Sequence, residues 1–151
     1  METIKRQLAT FSGQRQNILK IHGYTVIDDA YNASPDSMKA GLKILSDYKD
    51  SGRKIAVLSD MLELGPDSPD YHREVGEFLG TADITDLYIT GTLSKKYAEA
   101  AQKKNLSLKT KWFSSNDELI SYLKDYLKEN DVVLIKASNG MKLYEVAKAL
   151  E

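Results

Sequence analysis

The sequence lacks cysteine altogether and has only two histidines, His22 and His72, in 151 residues. Without thiols the chain can form no disulfide, no thiolate nucleophile and no cysteine-ligated zinc or iron–sulfur centre. Two histidines are too few for a multi-histidine metal site. The patterns GxxxxGK[ST], GxGxxG and GxSxG are also missing. The chain therefore carries neither a phosphate loop of its own nor a nucleophile elbow.

An excess of charge of one sign is missing too. Lysine and arginine number 21 against 22 aspartates and glutamates, which gives a net charge of −1 and argues against nucleic acid or anionic membrane as a partner. The longest apolar runs, such as residues 132–135, are far too short to span a bilayer, and the first twelve residues contain no apolar signal-peptide core. We expect one globular, soluble, cytoplasmic domain with no nucleic-acid partner and no membrane insertion.

Short apolar runs alternate with segments of helical period along most of the chain. The predicted strands are residues 18–21, 24–27, 54–58, 87–90, 111–113 and 131–135. Helices are predicted after Ser34, Ser68, Gly91, Ser115 and Gly140. This alternation predicts an α/β fold: a Rossmann-like, mostly parallel sheet with helices on both faces and an N-terminal antiparallel edge strand. The first fifteen residues do not join the alternation.

Ligands of open parallel sheets bind beyond the carboxyl ends of the strands. Three predicted loops at that end carry reactive groups. Asp28 and Asp29 end one strand, and Asp60 with Glu63 follows the next. Residues 136–140, KASNG, supply a cation, a hydroxyl and an amide before a predicted helix, whose N-terminus would accept an anion.

Each of these groups also has a purely structural interpretation. Asp28 and Asp29 could begin a turn, and Asp60 could be a solvated loop acid. Lys136 could extend its ammonium to solvent. His72 is more typical of a helix surface than of a catalyst. The residues alone therefore indicate a ligand crevice and leave the ligand open.

Four ordered segments resemble the Mur ligases that add D-alanyl-D-alanine. Residues 25–38 read TVIDDAYNASPDSM, against the family pattern DDxYNANPDSM. Residues 54–65 end in SDMLELG, against GDMLELG, and residues 72–76 match the pattern HxxVG. Residues 133–141, VLIKASNGM, are similar to VKGSRGM. The resemblance covers about residues 13–150.

The resemblance implies a division of labour between three domains. An N-terminal domain would hold the UDP-sugar, and a central domain would hold ATP and magnesium. Residues 15–151 would form the C-terminal domain, and residues 1–14 would be the tail of the central domain and the hinge. The implied activity is ATP-dependent joining of D-Ala-D-Ala to UDP-MurNAc-tripeptide in peptidoglycan precursor synthesis, with residues 1–151 inactive on their own.

The resemblance also implies site residues, and no metal site is among them. Arg15 matches a hinge arginine that reaches nucleotide. Asp29 matches an aspartate that accepts ribose hydroxyls, and Tyr31 and Asn32 would line the boundary between nucleotide and acceptor. The residues expected on the acceptor side are Asp60, Lys136 and Ser138. No catalytic residue is assigned to this domain.

The sequence departs from the family patterns at four positions. Ser34 stands for asparagine and Ser59 for glycine. Ala137 and Asn139 replace glycine and arginine in KGSRG. The missing arginine leaves the contact to the dipeptide carboxylate open, and Ala137 matters if the backbone there needs a positive φ.

Two other functions fit parts of the pattern. A phosphoacceptor receiver domain also has an acidic pair, a central aspartate and a late lysine, which Asp28, Asp29, Asp60 and Lys136 would imitate. Only 31 residues separate Asp29 from Asp60, however, which leaves no room for the additional strand and helix of a receiver. A related Mur or folylpolyglutamate-type ligase with another acceptor is the second alternative.

Overall fold

The structure is a computed structural model that describes residues 5–8, 17–49 and 51–151. Its strands are β1 Lys5–Leu8, β2 Asn17–Ile21, β3 Tyr24–Asp29, β4 Lys54–Leu58, β5 Asp86–Ile89, β6 Lys109–Trp112 and β7 Val132–Lys136. Its α-helices are α1 Pro35–Asp47, α2 Ser68–Thr81, α3 Lys95–Lys104, α4 Asn116–Tyr126 and α5 Tyr144–Leu150, and a 3-10 helix covers Asn139–Met141. None of these described helices is long and apolar enough to cross a membrane.

The strands form one sheet in the order β1-β2-β3-β7-β4-β5-β6. β1, β2 and β3 run antiparallel, and the five strands from β3 to β6 run parallel. The predicted fold class and the hairpin at His22-Gly23 are confirmed. The first fifteen residues do not join the predicted alternation of strands and helices, whereas Lys5–Leu8 pairs with β2 and covers its outer edge.

Serine side chains begin two of the helices, as the sequence predicts. The Ser34 hydroxyl accepts the Ser37 amide at 3.2 Å, and the Ser37 hydroxyl accepts the Ser34 amide at 2.9 Å. At α4 the Ser115 hydroxyl accepts the Glu118 amide at 3.2 Å. Ser115-Asn116-Asp117-Glu118 has the S-x-x-E pattern of a capping box, but the Glu118 carboxylate accepts the amide of Ser114 instead of that of Ser115, so the box is half formed.

The sheet has an apolar core on each face, and β7 contributes to both. Val133 and Ile135 pack with α4 and α5 on one face. Val132 and Leu134 pack with α1, α2 and α3 on the other. Because successive side chains of a strand point to opposite faces, a strand buried on both sides reads as an unbroken apolar run. Burying one such side chain contributes about 1.5–3 kcal/mol.

The position of β7 creates the site. β7 is the last strand along the chain, yet it lies between β3 and β4. The helices that follow β3 and β4 pack on one face, and the helix that follows β7 packs on the other. The loops therefore diverge at the carboxyl end of β7, which is the topological switch point where open α/β sheets bind ligands.

Candidate functional site

Three loops enclose a cleft of about 360 Å³ at this switch point. They follow β3, β4 and β7, the three strands whose ends the sequence singles out. The residues that line the cleft are Tyr31, Asn32, Ala33, Leu62, Glu63, Ser138, Asn139 and Gly140. The structure thus brings three of the predicted site residues, Tyr31, Asn32 and Ser138, together in the lining of one cleft.

A buried ion pair joins the floor of two of these loops. The Lys136 ammonium donates to Oδ2 of Asp29 at 2.6 Å and to the backbone carbonyl of Asn32 at 3.0 Å. Lys136 is 2% exposed, so the alternative of a lysine extended to solvent is wrong. Burial raises the pKa of Asp29, and the neighbouring ammonium opposes that shift. The pair ties the β3–α1 loop to the end of β7.

The β3–α1 loop presents an aromatic ring at the mouth of the cleft. Tyr31 is 40% exposed, and its ring is stacked nearly parallel to that of Tyr144 on α5, with centroids 6.2 Å apart. Asn32 follows with its side chain exposed and its carbonyl held by Lys136. A flat, partly supported ring beside an amide suits a planar or hydrogen-bonding ligand.

The β7 loop differs in part from its sequence-based prediction. The 3-10 helix at Asn139–Met141 and a left-handed residue, Lys142 at φ 61°, separate β7 from α5. α5 therefore begins at Tyr144 and not directly after Gly140, so the predicted anion-accepting helix N-terminus is not at this loop. Ala137 is buried and is not among the residues with positive φ, so alanine is accommodated there without strain.

The β4–α2 loop forms the facing wall. Leu62 and Glu63 line the cleft, and Glu63 adopts a left-handed φ of 63°. The Leu62 amide donates to the Ser138 hydroxyl at 2.8 Å, and the Ser138 amide donates to the Asp60 carbonyl at 3.3 Å. Ser138 is therefore both a cleft residue and the point where two loops are joined.

The carboxylate of Asp60 is turned away from the cleft. It accepts the amides of Thr92 at 3.2 Å and Ser94 at 2.8 Å, and the Ser94 hydroxyl at 2.7 Å. A Cβ at Gly91 would lie 2.5 Å from Asp60 Oδ1, and Gly91 has φ +92°, so glycine is required on two grounds. Asp60 therefore lies at the same carboxyl edge of the sheet as the cleft, and its carboxylate holds the β5–α3 loop in place.

His72 is predicted to lie on a helix surface, and this prediction is wrong. The ring is fully buried. Nε2 accepts the Met61 amide at 3.0 Å, and Nδ1 lies 2.7 Å from the Ser68 carbonyl. Burial lowers the pKa of His72, against the opposing effects of the Ser68 carbonyl and the Asp60 charge. The Ser68 carbonyl lies one turn earlier on the same helix, whereas the Met61 amide lies in the preceding loop, so the motif HxxVG alone could not reveal that contact.

Two further expectations concern Arg15 and a metal site. Arg15, predicted to reach nucleotide, lies outside the described residues. Within residues 5–8, 17–49 and 51–151, no group of three or more histidines, aspartates and glutamates could hold a metal ion.

A mostly parallel sheet with helices on both faces and a polar cleft at its switch point defines a Rossmann-like α/β domain. Comparison with known families narrows the class: residues 14–139 match the family described as "Mur ligase, glutamate ligase domain". The chain belongs to the Mur ligase family, as its C-terminal glutamate ligase domain. This confirms the resemblance seen in the four sequence segments.

Two curated relatives from different bacteria carry the same name. The UDP-N-acetylmuramoyl-tripeptide–D-alanyl-D-alanine ligase of Bacillus subtilis is 36% identical over 140 residues, which cover 92% of this chain and 31% of that protein. The ligase of the same name from Rickettsia prowazekii is 34% identical over 87% of this chain and 28% of its own length. The chain thus spans about a third of the length of the relatives that it matches.

Solved structures agree with this placement. The MurF ligase of Thermotoga maritima, in complex with ADP, shares 31% identity and superposes with a TM-score of 0.72, over 95% of this chain and 31% of that one. The MurC ligase of the same organism, at 18% identity and a TM-score of 0.59 over 85% of this chain and 26% of that one, shows the shared fold.

The strand order separates this fold from a receiver domain. The parallel strands taken in chain order lie as 1-5-2-3-4, because β7 is inserted beside β3. Receivers have the order 2-1-3-4-5. Together with the family match, this sets the receiver alternative aside.

Proposed function

We propose that this chain is the C-terminal domain of an ATP-dependent ligase that joins D-alanyl-D-alanine to UDP-N-acetylmuramoyl-tripeptide. One observation carries the proposal: three of the four segments that resemble this ligase contain the loops that enclose the cleft. The names of relatives that are 34–36% identical over most of the chain support the same substrates. Because those relatives are about three times longer, the activity would belong to a larger protein.

The proposed reaction proceeds through an acyl phosphate. The tripeptide carboxylate takes the terminal phosphoryl group of ATP, and the dipeptide amine then attacks the activated acyl carbon. Phosphate leaves with the former carboxylate oxygen, and the amine loses a proton. In this scheme the domain brings the amine to the acyl carbon and offers polar groups around it, and supplies no covalent nucleophile.

Nucleotide contacts are proposed for the β3–α1 side of the cleft. Oδ2 of Asp29 is engaged by Lys136, so a ribose hydroxyl would donate to Oδ1. Tyr31 and Asn32 would lie between nucleotide and acceptor. Arg15 would place a guanidinium near the phosphates or the base. ATP and magnesium would be held mainly by the central domain.

Acceptor contacts are proposed for the β7 side of the cleft. The Ser138 hydroxyl lines the cleft, where it can bind a peptide group. Lys136 would act indirectly. Its ammonium pairs with the Asp29 carboxylate and holds the Asn32 carbonyl beneath the cleft, and it would thereby position the loop that faces the acceptor. Asp60 would act through its loop, since its carboxylate is bound to Thr92 and Ser94.

The proposed partners follow from the reaction. They are the N-terminal and central domains of the ligase together with UDP-MurNAc-tripeptide, D-Ala-D-Ala and ATP. The setting proposed is the cytoplasm, where ATP is available. A ligase for another acceptor is the weaker alternative, because the relatives at 34–36% identity all carry the D-alanyl-D-alanine name.

The experiment measures phosphate release by the complete ligase that carries these residues, with and without D-Ala-D-Ala. We expect Asp29→Ala and Arg15→Ala to lower kcat/KM about a hundredfold, because each removes a proposed positioning contact to nucleotide. Asp36→Ala is the matched control: this exposed acid lies in the first turn of α1, just after the same loop, and its loss should leave turnover unchanged. Phosphate release that does not depend on D-Ala-D-Ala would rule the function out.

A further inference from the structure

One wall of the cleft has a backbone conformation that needs support. Glu63 has φ 63°, a region that costs a residue with a side chain about 1–2 kcal/mol. Leu62 and Glu63 together line the cleft opposite Asn32 and Asn139. A strained segment keeps one conformation only where its neighbours hold it.

Two hydrogen bonds hold the residues just before Glu63. The Leu62 amide is bound by the Ser138 hydroxyl at 2.8 Å, and the Met61 amide is bound by Nε2 of His72 at 3.0 Å. Met61 is fully buried, so water cannot replace the imidazole as acceptor. His72 thus anchors the wall from the protein interior, and Ser138 anchors it from the neighbouring loop.

The contacts of His72 fix its tautomer. A carbonyl can only accept, so the Ser68 contact requires the proton on Nδ1. An amide can only donate, so the Met61 contact requires a bare Nε2. The His72 ring also packs against the ring of Tyr97, with the two ring centroids 5.0 Å apart. The Tyr97 ring is itself fixed, because its hydroxyl donates to the Ser59 carbonyl at 3.0 Å. The imidazole is therefore a preset acceptor aimed at one backbone amide.

We propose that His72 is a positioning residue of the cleft: its Nε2 fixes the Met61 amide and thereby the Leu62–Glu63 wall, against which a short peptide acceptor lies. The claim that His72 positions the Leu62–Glu63 wall does not depend on the identity of the substrate. The claim that a peptide acceptor lies against this wall rests on the proposed function. His72 touches no substrate and acts through the loop.

The first test measures amide hydrogen exchange by NMR in the 151-residue chain. His72→Asn keeps a donor near Ser68 but is too short to reach Met61, whereas His72→Gln places an oxygen near the Nε2 position. We expect the Met61 and Leu62 amides of His72→Asn to exchange about three- to tenfold faster than wild type. In His72→Gln they should exchange at close to the wild-type rate.

The amides of Val57 in β4 and Leu134 in β7 are the internal controls. Equal acceleration of all four amides means that His72 stabilises the fold as a whole, and overturns the proposal. Unchanged exchange at Met61 in His72→Asn, or a Gln variant as fast as the Asn variant, overturns it as well. His72→Phe, which fills the ring volume beside Tyr97, serves in place of an Asn variant that does not fold.

The second test uses the complete ligase and separates KM from kcat. We expect His72→Asn to raise KM for D-Ala-D-Ala about tenfold while kcat and KM for ATP stay within about twofold, and His72→Gln to restore KM. Equal losses for both substrates overturn the acceptor part. A wild-type ligase without dipeptide-dependent turnover refutes the proposed function instead, and the exchange data then decide the positioning role alone.

Discussion

The buried ion pair between Lys136 and Asp29 makes a contribution to stability that can be measured directly. The pair is buried, with side chains 2% and 9% exposed. We expect Lys136→Met to lower the free energy of unfolding by about 3 kcal/mol, because the Asp29 carboxylate then stays buried without its cation. Urea denaturation followed by circular dichroism measures the change.

Two variants control for the loss of charge itself. The double variant with Lys136→Met and Asp29→Asn removes both charges and should regain part of the lost stability. Lys43→Met breaks the exposed pair with Asp47 and should change the unfolding free energy by less than about 0.5 kcal/mol. A Lys136→Met protein as stable as wild type would show that the pair contributes nothing.

His72 gives the protein a predictable dependence on pH. Burial lowers its pKa below the ordinary 6.5 in the folded state, with Asp60 and Tyr97 as the ionisable groups that face the ring. The unfolded chain therefore binds the proton first as the pH falls, and stability is lost from about pH 6.5 downward through the folded-state pKa. Between about pH 7.5 and pH 5 the wild type should lose more unfolding free energy than His72→Gln. Parallel stability curves for the two proteins would contradict this.

For single residues, the sequence predicted where a side chain lies in the fold better than it predicted the hydrogen-bond partners of that side chain. Asp29 and Lys136 could be found because each ends an apolar strand, and strand ends share one edge. Asp60 and His72 could not be assigned to their contacts, because the β5–α3 loop bound by Asp60 and the Met61 amide bound by His72 come close to them only in the folded chain. No residue pattern encodes such partners.

Helices α2 and α3 pack closely enough that one methyl group matters. A Cβ at Gly76 would lie 2.5 Å from the Tyr97 carbonyl oxygen and 2.8 Å from its Cα. We expect Gly76→Ala to lower the free energy of unfolding by about 2 kcal/mol, because the two backbones must separate. Thermal or urea unfolding measures the loss.

Gly52 provides the comparison at a site with room. A Cβ there would meet its nearest atoms at 3.5 Å, an ordinary contact distance. Gly52→Ala should therefore stay within about 0.5 kcal/mol of wild type. If Gly76→Ala is equally harmless, the close approach of α2 and α3 is not a constraint on the fold.

Elements with strong local signals were predicted nearly to the residue. The strand at 54–58 has a continuous apolar run. The helices that begin near Ser34, Ser68 and Ser115 have apolar periodicity, and Ser34 and Ser115 also cap theirs. β6 is the exception: residues 111–113 were expected, and Lys109–Trp112 was found. β6 lies at the sheet edge with most of its side chains exposed, so it lacks the buried apolar run that would mark its bounds.

For the molecule as a whole, the proposed division of labour predicts what residues 1–151 do alone. We expect the chain to unfold in one cooperative transition, to bind ATP no more tightly than about millimolar Kd, and to hydrolyse none, because it has no phosphate loop. Calorimetric titration with Mg-ATP and a phosphate-release assay measure both properties. Steady ATP hydrolysis by these residues alone would contradict the proposed dependence on a central domain.

The order of the strands is what local reasoning could not supply. Alternating strands and helices predict a parallel sheet, but every permutation of those strands satisfies the same local patterns. The insertion of β7 between β3 and β4 depends on contacts between residues more than a hundred positions apart, such as Asp29 and Lys136. The sequence could therefore single out the three strand ends that form the cleft, whereas the contacts that join their loops could not be predicted.

The central place of β7 sets a condition on how the chain acquires its fold. Until residues 132–136 emerge from the ribosome, β3 and β4 have no common neighbour, and the nascent sheet consists of two separate halves with open edges. Zipping these halves together is a late, long-range event, of the kind that slows folding and leaves unpaired edges open to aggregation. β7 must be synthesised before either half is sealed, so a chain that stops before residue 132 would have two unfinished sheets and no cleft between them.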